Sequence, residues 1–167
     1  MGAKQKLVVV GNGMAGARTV EEILAHGGGD MFEITMFGDE PTGNYNRILL
    51  SNVLNGSDKE DDIYLNPLSW YEENRITLLS GLRATGLLRR AKLVYGENGH
   101  AEPYDKLIIA TGSRPFIPQM EGVTMKDGSF KPGVFVFRTL DDCRDIAAYA
   151  KGQKTAAVIG YAISAIN

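Results

Sequence analysis

Gly11, Gly13 and Gly16 follow the four-residue apolar run Leu7–Val10 directly, in the order G-x-G-x-x-G, with Asn12 in the variable position. Glycines at this spacing suit a pyrophosphate. Gly11 permits a tight turn, Gly13 lets the backbone approach a phosphate, and Gly16 lets a following helix pack closely on the strand. The start of that helix adds N–H groups without intrahelical partners and a partial positive charge, both of which favour an anion. A glycine-rich turn made for geometry alone would carry the same letters. What distinguishes this one is its place between a buried strand and a helix.

Chemistry of this kind also needs an acid near the end of the next strand, to hold a ribose. Asp39 and Glu40 stand just beyond that end, after Gly38, where the carboxylate more usually sits. The offset of one or two residues leaves the choice between them open, and two solvated turn acids before Pro41 are the plainer alternative. A second cue is "DKLIIATGSRPFIP". An apolar strand, Leu107–Ala110, closes on Thr111-Gly112, where a residue without a side chain would let the backbone lie against a cofactor. The plain alternative is a strand end that turns on a glycine.

The elements that must position these residues follow from periodicity. Leu7–Val10 reads as a strand buried on both faces. Ala17, Val20, Ile23 and Leu24 recur at helical spacing up to a stop at Gly27. After a loop at Gly27–Asp30, Met31–Phe37 alternates as the second strand, completing a βαβ unit. From Gly38 to Lys59 the chain reads as irregular, with an apolar insert at Ile48–Leu50. A short helix at Ser69–Asn74 and a strand at Thr77–Leu79 follow. Between Arg83 and Leu107 the pattern is a small antiparallel meander, with a hairpin turn at Glu97–His100. Further on, the pattern predicts a strand at Val134–Phe137, a helix capped by Thr139 or Asp141 and running to about Lys151, and a strand within Lys154–Gly160. The expected fold is α/β: a Rossmann-like domain with a parallel sheet and a small antiparallel meander. Residues 1–153 form the first segment, and 154–167 the first strand of a second nucleotide domain.

Bulk properties narrow the function classes. A chain of 167 residues with 44% hydrophobic and 23% charged content is ordinary for a globular domain. A net charge of −2 provides no field for gathering nucleic acid. The apolar runs are too short for a membrane span, and the run after "MGAKQK" breaks at Gly11, unlike a signal peptide. The single cysteine, Cys143, excludes an intramolecular disulfide and fits a reducing cytoplasm. It is expected half-buried on its helix. His26 and His100 have no partners at metal-ligand spacing, so no metal is expected. Arg89, Arg90 and Lys92 read as a solvated charge run, and Trp70 and Tyr71 as packing residues. No side chain is assigned a catalytic role.

With these motifs in order, the chain resembles the start of a two-dinucleotide-domain flavoprotein of the pyridine-nucleotide disulfide reductase superfamily. "GDEPTGNYNRILLS" with "WYEENRITLLSG" is similar to the FAD part of the large subunit of NAD(P)H-dependent nitrite reductase, with rubredoxin and ferredoxin reductases as close relatives. The resemblance implies that Gly11, Gly13, Met14, Ala15 and Gly16 form the pyrophosphate turn of an FAD site. It assigns the ribose to Asp39 or Glu40, and an FAD contact to Arg47, whose alternative is a solvated loop cation. It assigns a backbone contact with adenine to Ala84, and the returning strand to Thr111 and Gly112, flanked by Ser113 and Arg114. Disulfide-reducing members place paired cysteines after the second strand; "YNRILLSNVL" has none, which excludes dithiol chemistry. Ser51 and Asn52 stand where relatives carry serine and lysine, so the lysine is missing.

In intact relatives hydride passes from NAD(P)H to flavin, and electrons then leave to a second redox centre. Here "KTAAVIG" fits the first strand of the NAD(P)H domain. "YAISAIN" lacks its glycines, and Tyr161 and Ile163 would obstruct a pyrophosphate. The expected protein is therefore an FAD-binding part of such a reductase, with the NAD(P)H site missing from this chain and no activity alone. The alternative is a non-catalytic nucleotide-binding or dimerising module, self-associating through a face exposed by truncation.

Overall fold

Gln5–Val10 forms strand β1 in the computed structural model, which describes residues 3–160. Leu7, Val8 and Val9 are all buried, although successive side chains point to opposite faces. The strand is therefore covered on both sides, as its unbroken apolar run predicts. Helix α1 (Met14–Ala25) follows the glycine turn and ends where Gly27 takes a left-handed backbone, φ 79°. The expected Gly27–Asp30 loop holds one more short helix, α2 (Gly28–Met31), so strand β2 begins at Phe32 and runs to Gly38.

The stretch read as irregular is more ordered than its composition predicts. It contains the two-residue strand β3 (Asn44–Tyr45), a 3-10 turn at Arg47–Leu49 and helix α3 (Leu50–Asn55). Strand β4 (Tyr64–Asn66) pairs antiparallel with β3, and helix α4 (Leu68–Glu73) leads into strand β5 (Ile76–Ser80). The meander is three antiparallel strands, β6 (Ala84–Leu88), β7 (Leu93–Gly96) and β8 (Ala101–Pro103), before strand β9 (Lys106–Ile109).

The main sheet has the order β5-β2-β1-β9, and every pair in it is parallel. Its two faces have different covers. Leu7, Val9, Ile34, Met36 and Ile76 meet Val20 of α1 and Tyr71 of α4 on one side. Val8 and Phe37 meet Val94 of the meander on the other. Register sets Val10 beside both Phe37 and Ile109, so β1, β2 and β9 end level. The glycine turn, the acids and the Ala-Thr-Gly segment thus emerge at one edge of the sheet. In open α/β sheets the carboxyl ends of the strands are where ligands bind.

The chain divides into two compact units, with a boundary after Phe116. In the second, helix α5 (Leu140–Ala150) is capped by Thr139 rather than Asp141. Thr139 Oγ1 accepts from the Asp142 amide at 3.1 Å, and Asp142 Oδ2 accepts from the amides of Thr139 and Arg138, each at 2.8 Å. Cys143 is fully buried rather than half-buried, because it lies beside Leu140 on the inner face of that helix.

Val134–Phe137 alternates in burial but pairs with no strand among the described residues, and neither do residues 154–160, where Val158 and Ile159 are exposed. An apolar run becomes a strand only beside a neighbour that completes its hydrogen bonds. The expectations for Tyr161, Ile163 and the rest of "YAISAIN" fall outside the described residues. Among the described residues, no helix is long and apolar enough to cross a membrane.

Candidate functional site

The glycines of the turn differ in what requires them. At Gly11 (φ +116°) a Cβ would run into the Ala110 carbonyl oxygen, so the turn lies against the end of β9. The Gly11 amide donates to the Phe37 carbonyl at 3.0 Å, and the Ala110 amide to that of Val10 at 2.8 Å. At Gly16 a Cβ would strike the Gly11 carbonyl oxygen, which is the close helix–strand approach expected of the third glycine. Gly13 is different. It has an ordinary backbone conformation (φ −82°, ψ −178°), and nothing lies within 4 Å of a Cβ built on it. No contact among the described residues calls for glycine there.

Gly13 is the N-cap of α1 and has no side chain to cap it, and no acid lies in the first turn. The amides at Met14, Ala15 and Gly16 belong to the group that intrahelical carbonyls cannot reach. A bare, open cradle at an uncompensated helix N-terminus fits the pyrophosphate of a dinucleotide. Thr111 and Gly112 (φ 72°) run past it from β9, both exposed.

The two acids take separate surroundings. Glu40 is mostly buried and uses both carboxylate oxygens within the protein. Oε2 accepts from the Tyr45 hydroxyl, and Oε1 from an Arg47 guanidinium N–H, each at 2.7 Å. That guanidinium also lies over the Tyr45 ring, 5.3 Å from its centroid. Asp39 is exposed, with an ion pair to Arg83 at 3.3 Å. The amides of Gly81 and Leu82 donate to the carbonyls of Glu40 and Gly38, so residues 81–84 run alongside the acids. This draws Ala84 to the same edge. Gly38 has a packing reason of its own. A Cβ there would sit 3.1 Å from Asn12 Cβ, so a side chain where an acid more usually stands would press on Asn12.

Sequence reasoning missed what holds Asn12. Tyr71, expected only to pack, donates its hydroxyl proton to Asn12 Oδ1 at 2.6 Å and accepts from the Asn44 amide at 3.2 Å. Longer bonds of 3.4 Å run from Asn12 Nδ2 to the Thr42 carbonyl and from Asn44 Nδ2 to the Asn12 carbonyl. Burial raises the pKa of the Tyr71 phenol, opposed by the hydrogen bonds with Asn12 and Asn44. The cluster of Asn12, Thr42 and Asn44 around one glycine turn was the available signal. Thr42 Oγ1, Asn44 Oδ1 and Asn66 Oδ1 are buried there without a hydrogen-bond partner among the described residues.

The remaining candidates have local roles. Asn52 Nδ2 bonds Asp58 at 3.0 Å, and its carbonyl accepts from the Ser57 and Asp58 amides, closing the turn after α3. His26 caps α1 through the Glu22 carbonyl, and His100 pairs with Glu102 at 2.9 Å. Beneath the meander lies an apolar groove of about 240 Å³, lined by Val10, Ala84, Leu87, Val94, Leu107 and Ile109.

Comparison with known proteins shows the family and the fold. The sequence profile of the pyridine nucleotide-disulphide oxidoreductase family matches residues 5–166. The chain is 48% identical over 160 residues to "Nitrite reductase [NAD(P)H]" of Bacillus subtilis (strain 168), covering 96% of this chain and 19% of that protein. It is 36% identical to "Nitrite reductase (NADH) large subunit" of Escherichia coli (strain K12), covering 95% of this chain and 18% of that one. It thus spans about a fifth of the length of these relatives. NADH:rubredoxin oxidoreductase from Clostridium acetobutylicum superimposes with a TM-score of 0.75 at 28% identity, over 89% of this chain and 36% of that one. Putidaredoxin reductase in its covalent complex with putidaredoxin gives 0.75 at 30% identity, over 88% and 34%. By its profile and its relatives, the chain belongs to the pyridine nucleotide-disulphide oxidoreductase family.

Proposed function

We propose that this chain is the first FAD-binding segment of a flavoprotein oxidoreductase of nitrite reductase type. The observation that carries the reading is the open Gly13 cradle at the uncompensated start of α1. The amides of residues 13–16 would hold the pyrophosphate. Asp39 is the better candidate for the ribose, because both oxygens of Glu40 are engaged by Tyr45 and Arg47. Arg47, steadied by Glu40, would meet the cofactor as a charged donor, Ala84 would offer backbone to adenine, and Thr111 and Gly112 would bring the returning strand close to the same cofactor. Bound flavin would supply hydride acceptance and one-electron release, while this chain supplies position and electrostatics. In the longer protein, electrons would pass from NAD(P)H through FAD to a second redox centre, in the cytoplasm.

The NAD(P)H site is proposed to lie outside this chain, with residues 1–153 as the FAD segment and 154–167 as the approach to the next nucleotide domain. The test is reconstitution of the purified chain with FAD, followed by flavin absorbance after desalting and an NADH oxidation assay. Retained flavin without turnover is the expected result. Failure to take up FAD would remove the binding claim, and brisk NADH oxidation would remove the claim of a missing donor site. Exposed Leu87, Leu88 and Ile109 beside the groove support self-association of the isolated chain. Size-exclusion mass at several concentrations tests it, and a constant monomer refutes it.

A further inference from the structure

We propose that Tyr71 is a positioning residue for the phosphate-binding turn, acting through Asn12; its role in cofactor affinity rests on the FAD reading above. The turn is flanked by Gly11 and Gly13, residues that lose the most conformational freedom on folding and offer no side chain to grip. Asn12 is the handle between them. Its Oδ1 takes the Tyr71 hydroxyl proton at 2.6 Å, its Nδ2 reaches the Thr42 carbonyl, its own carbonyl receives Asn44 Nδ2, and its Cβ rests over Gly38.

Tyr71 is suited to set this arrangement. Its ring is 1% exposed, in the core cluster with Leu7, Val9, Ile34 and Met36, so the phenol oxygen has a fixed origin in the rigid part of the sheet. The hydroxyl donates once, to Asn12, and accepts once, from the Asn44 amide, so the direction of its proton is fixed too. Burial keeps the phenol neutral and able to donate. One side chain therefore ties the packed core to a turn that glycine would otherwise leave loose. A packing-only role would need the ring and not the oxygen.

The test uses the full 167-residue chain and the variants Tyr71→Phe, Asn12→Ala and their double. Thr35→Val serves as the comparison, since it removes another hydroxyl bond on the same sheet, to Glu102 at 3.3 Å. The first readout needs no ligand: hydrogen exchange of the two hydrogen-bonded amides of the turn, Gly11 to the Phe37 carbonyl and Ala17 to the Gly13 carbonyl. Tyr71→Phe should speed exchange there by at least about fivefold, the effect of losing one ordinary hydrogen bond, since it removes the bond to Asn12 and also the acceptor of the Asn44 amide. Thr35→Val should not. The second readout is the FAD dissociation constant by flavin fluorescence. Tyr71→Phe should weaken it about fivefold, and should add nothing in the Asn12→Ala background if it acts through that residue. Exchange at the turn no faster than in Thr35→Val overturns the proposal, and so do additive effects on FAD affinity. If the parent chain binds no FAD while turn exchange responds as expected, the FAD reading fails alone and the anchoring of the turn by Tyr71 stands.

Discussion

Gly13→Ala separates the fold from the site more cleanly than any other single change. The new methyl meets no protein atom within 4 Å, and φ −82°, ψ −178° is open to alanine. Two small effects on stability then oppose each other. Alanine restricts the unfolded chain, which stabilises by about 0.4–1 kcal/mol. It is also a poorer N-cap than glycine, which costs about 0.5–1 kcal/mol. The net change should lie within about 1 kcal/mol of zero, a shift of no more than about 4 °C in Tm for a chain of this size. Binding should respond very differently, because the methyl stands where a phosphate oxygen would approach the amides. Losing one hydrogen bond to a charged group costs about 1.5–3 kcal/mol, or about 10- to 150-fold in Kd. Thermal unfolding followed by circular dichroism, beside an FAD titration, reads both quantities. Gly16→Ala is the counterpart: its methyl strikes the Gly11 carbonyl, and overpacking against backbone should cost about 2–3 kcal/mol. Destabilisation of Gly13→Ala to the level of Gly16→Ala, or FAD affinity kept within about twofold, would refute the assignment.

The acids should behave as their surroundings dictate. Asp39→Asn should weaken FAD about tenfold and leave stability within about 1 kcal/mol, since its pair with Arg83 is exposed. Glu40→Gln should do the reverse in denaturant titrations, losing about 1–2 kcal/mol by weakening the partly buried pair with Arg47. At alkaline pH, Tyr71 adds a further dependence. Its folded pKa lies above the ordinary phenol value of about 10, so its stabilisation is complete below that value and is lost as pH rises through the folded pKa. Alkaline unfolding of Tyr71→Phe should show a shallower decline than the parent, and identical slopes would contradict the burial effect. In the second unit, Thr139→Ala removes the cap of α5 and should speed amide exchange in its first turn by about fivefold, for a loss of about 1 kcal/mol.

The sequence discloses those parts of the fold whose causes are local. The apolar run, the glycine turn and the helical spacing lie within one short stretch, and β1, α1 and β2 follow from them. The meander follows in the same way from its turn at Glu97–His100. Helix α3 escapes notice because six residues hold too little periodicity to register. It is closed by Gly56 in a left-handed conformation and by the Asn52–Asp58 bond, not by a hydrophobic stripe. Val134–Phe137 errs the other way, with a strand's alternation and no neighbour to pair with among the described residues. At the site the glycines were legible by type. The parting of Asp39 from Glu40 was not, because it depends on where Tyr45, Arg47 and Arg83 arrive in space. Tyr71 reaches Asn12 across a separation of 59 residues, and neither residue announces the other.

The contact between Asn12 and Gly38 ties together two positions of this site that are 26 residues apart in the sequence. Moving the acid back onto position 38 needs room beyond a Cβ that already sits 3.1 Å from Asn12. Asn12 cannot readily yield that room while Tyr71, Thr42 and Asn44 hold it on three sides. Every residue except glycine keeps a Cβ at position 12, so shortening Asn12 to alanine would leave that contact in place. An acid at 38 needs a shift of a few tenths of an ångström at Asn12, which the Tyr71 bond resists, so positions 12, 38 and 71 are coupled and are best varied together.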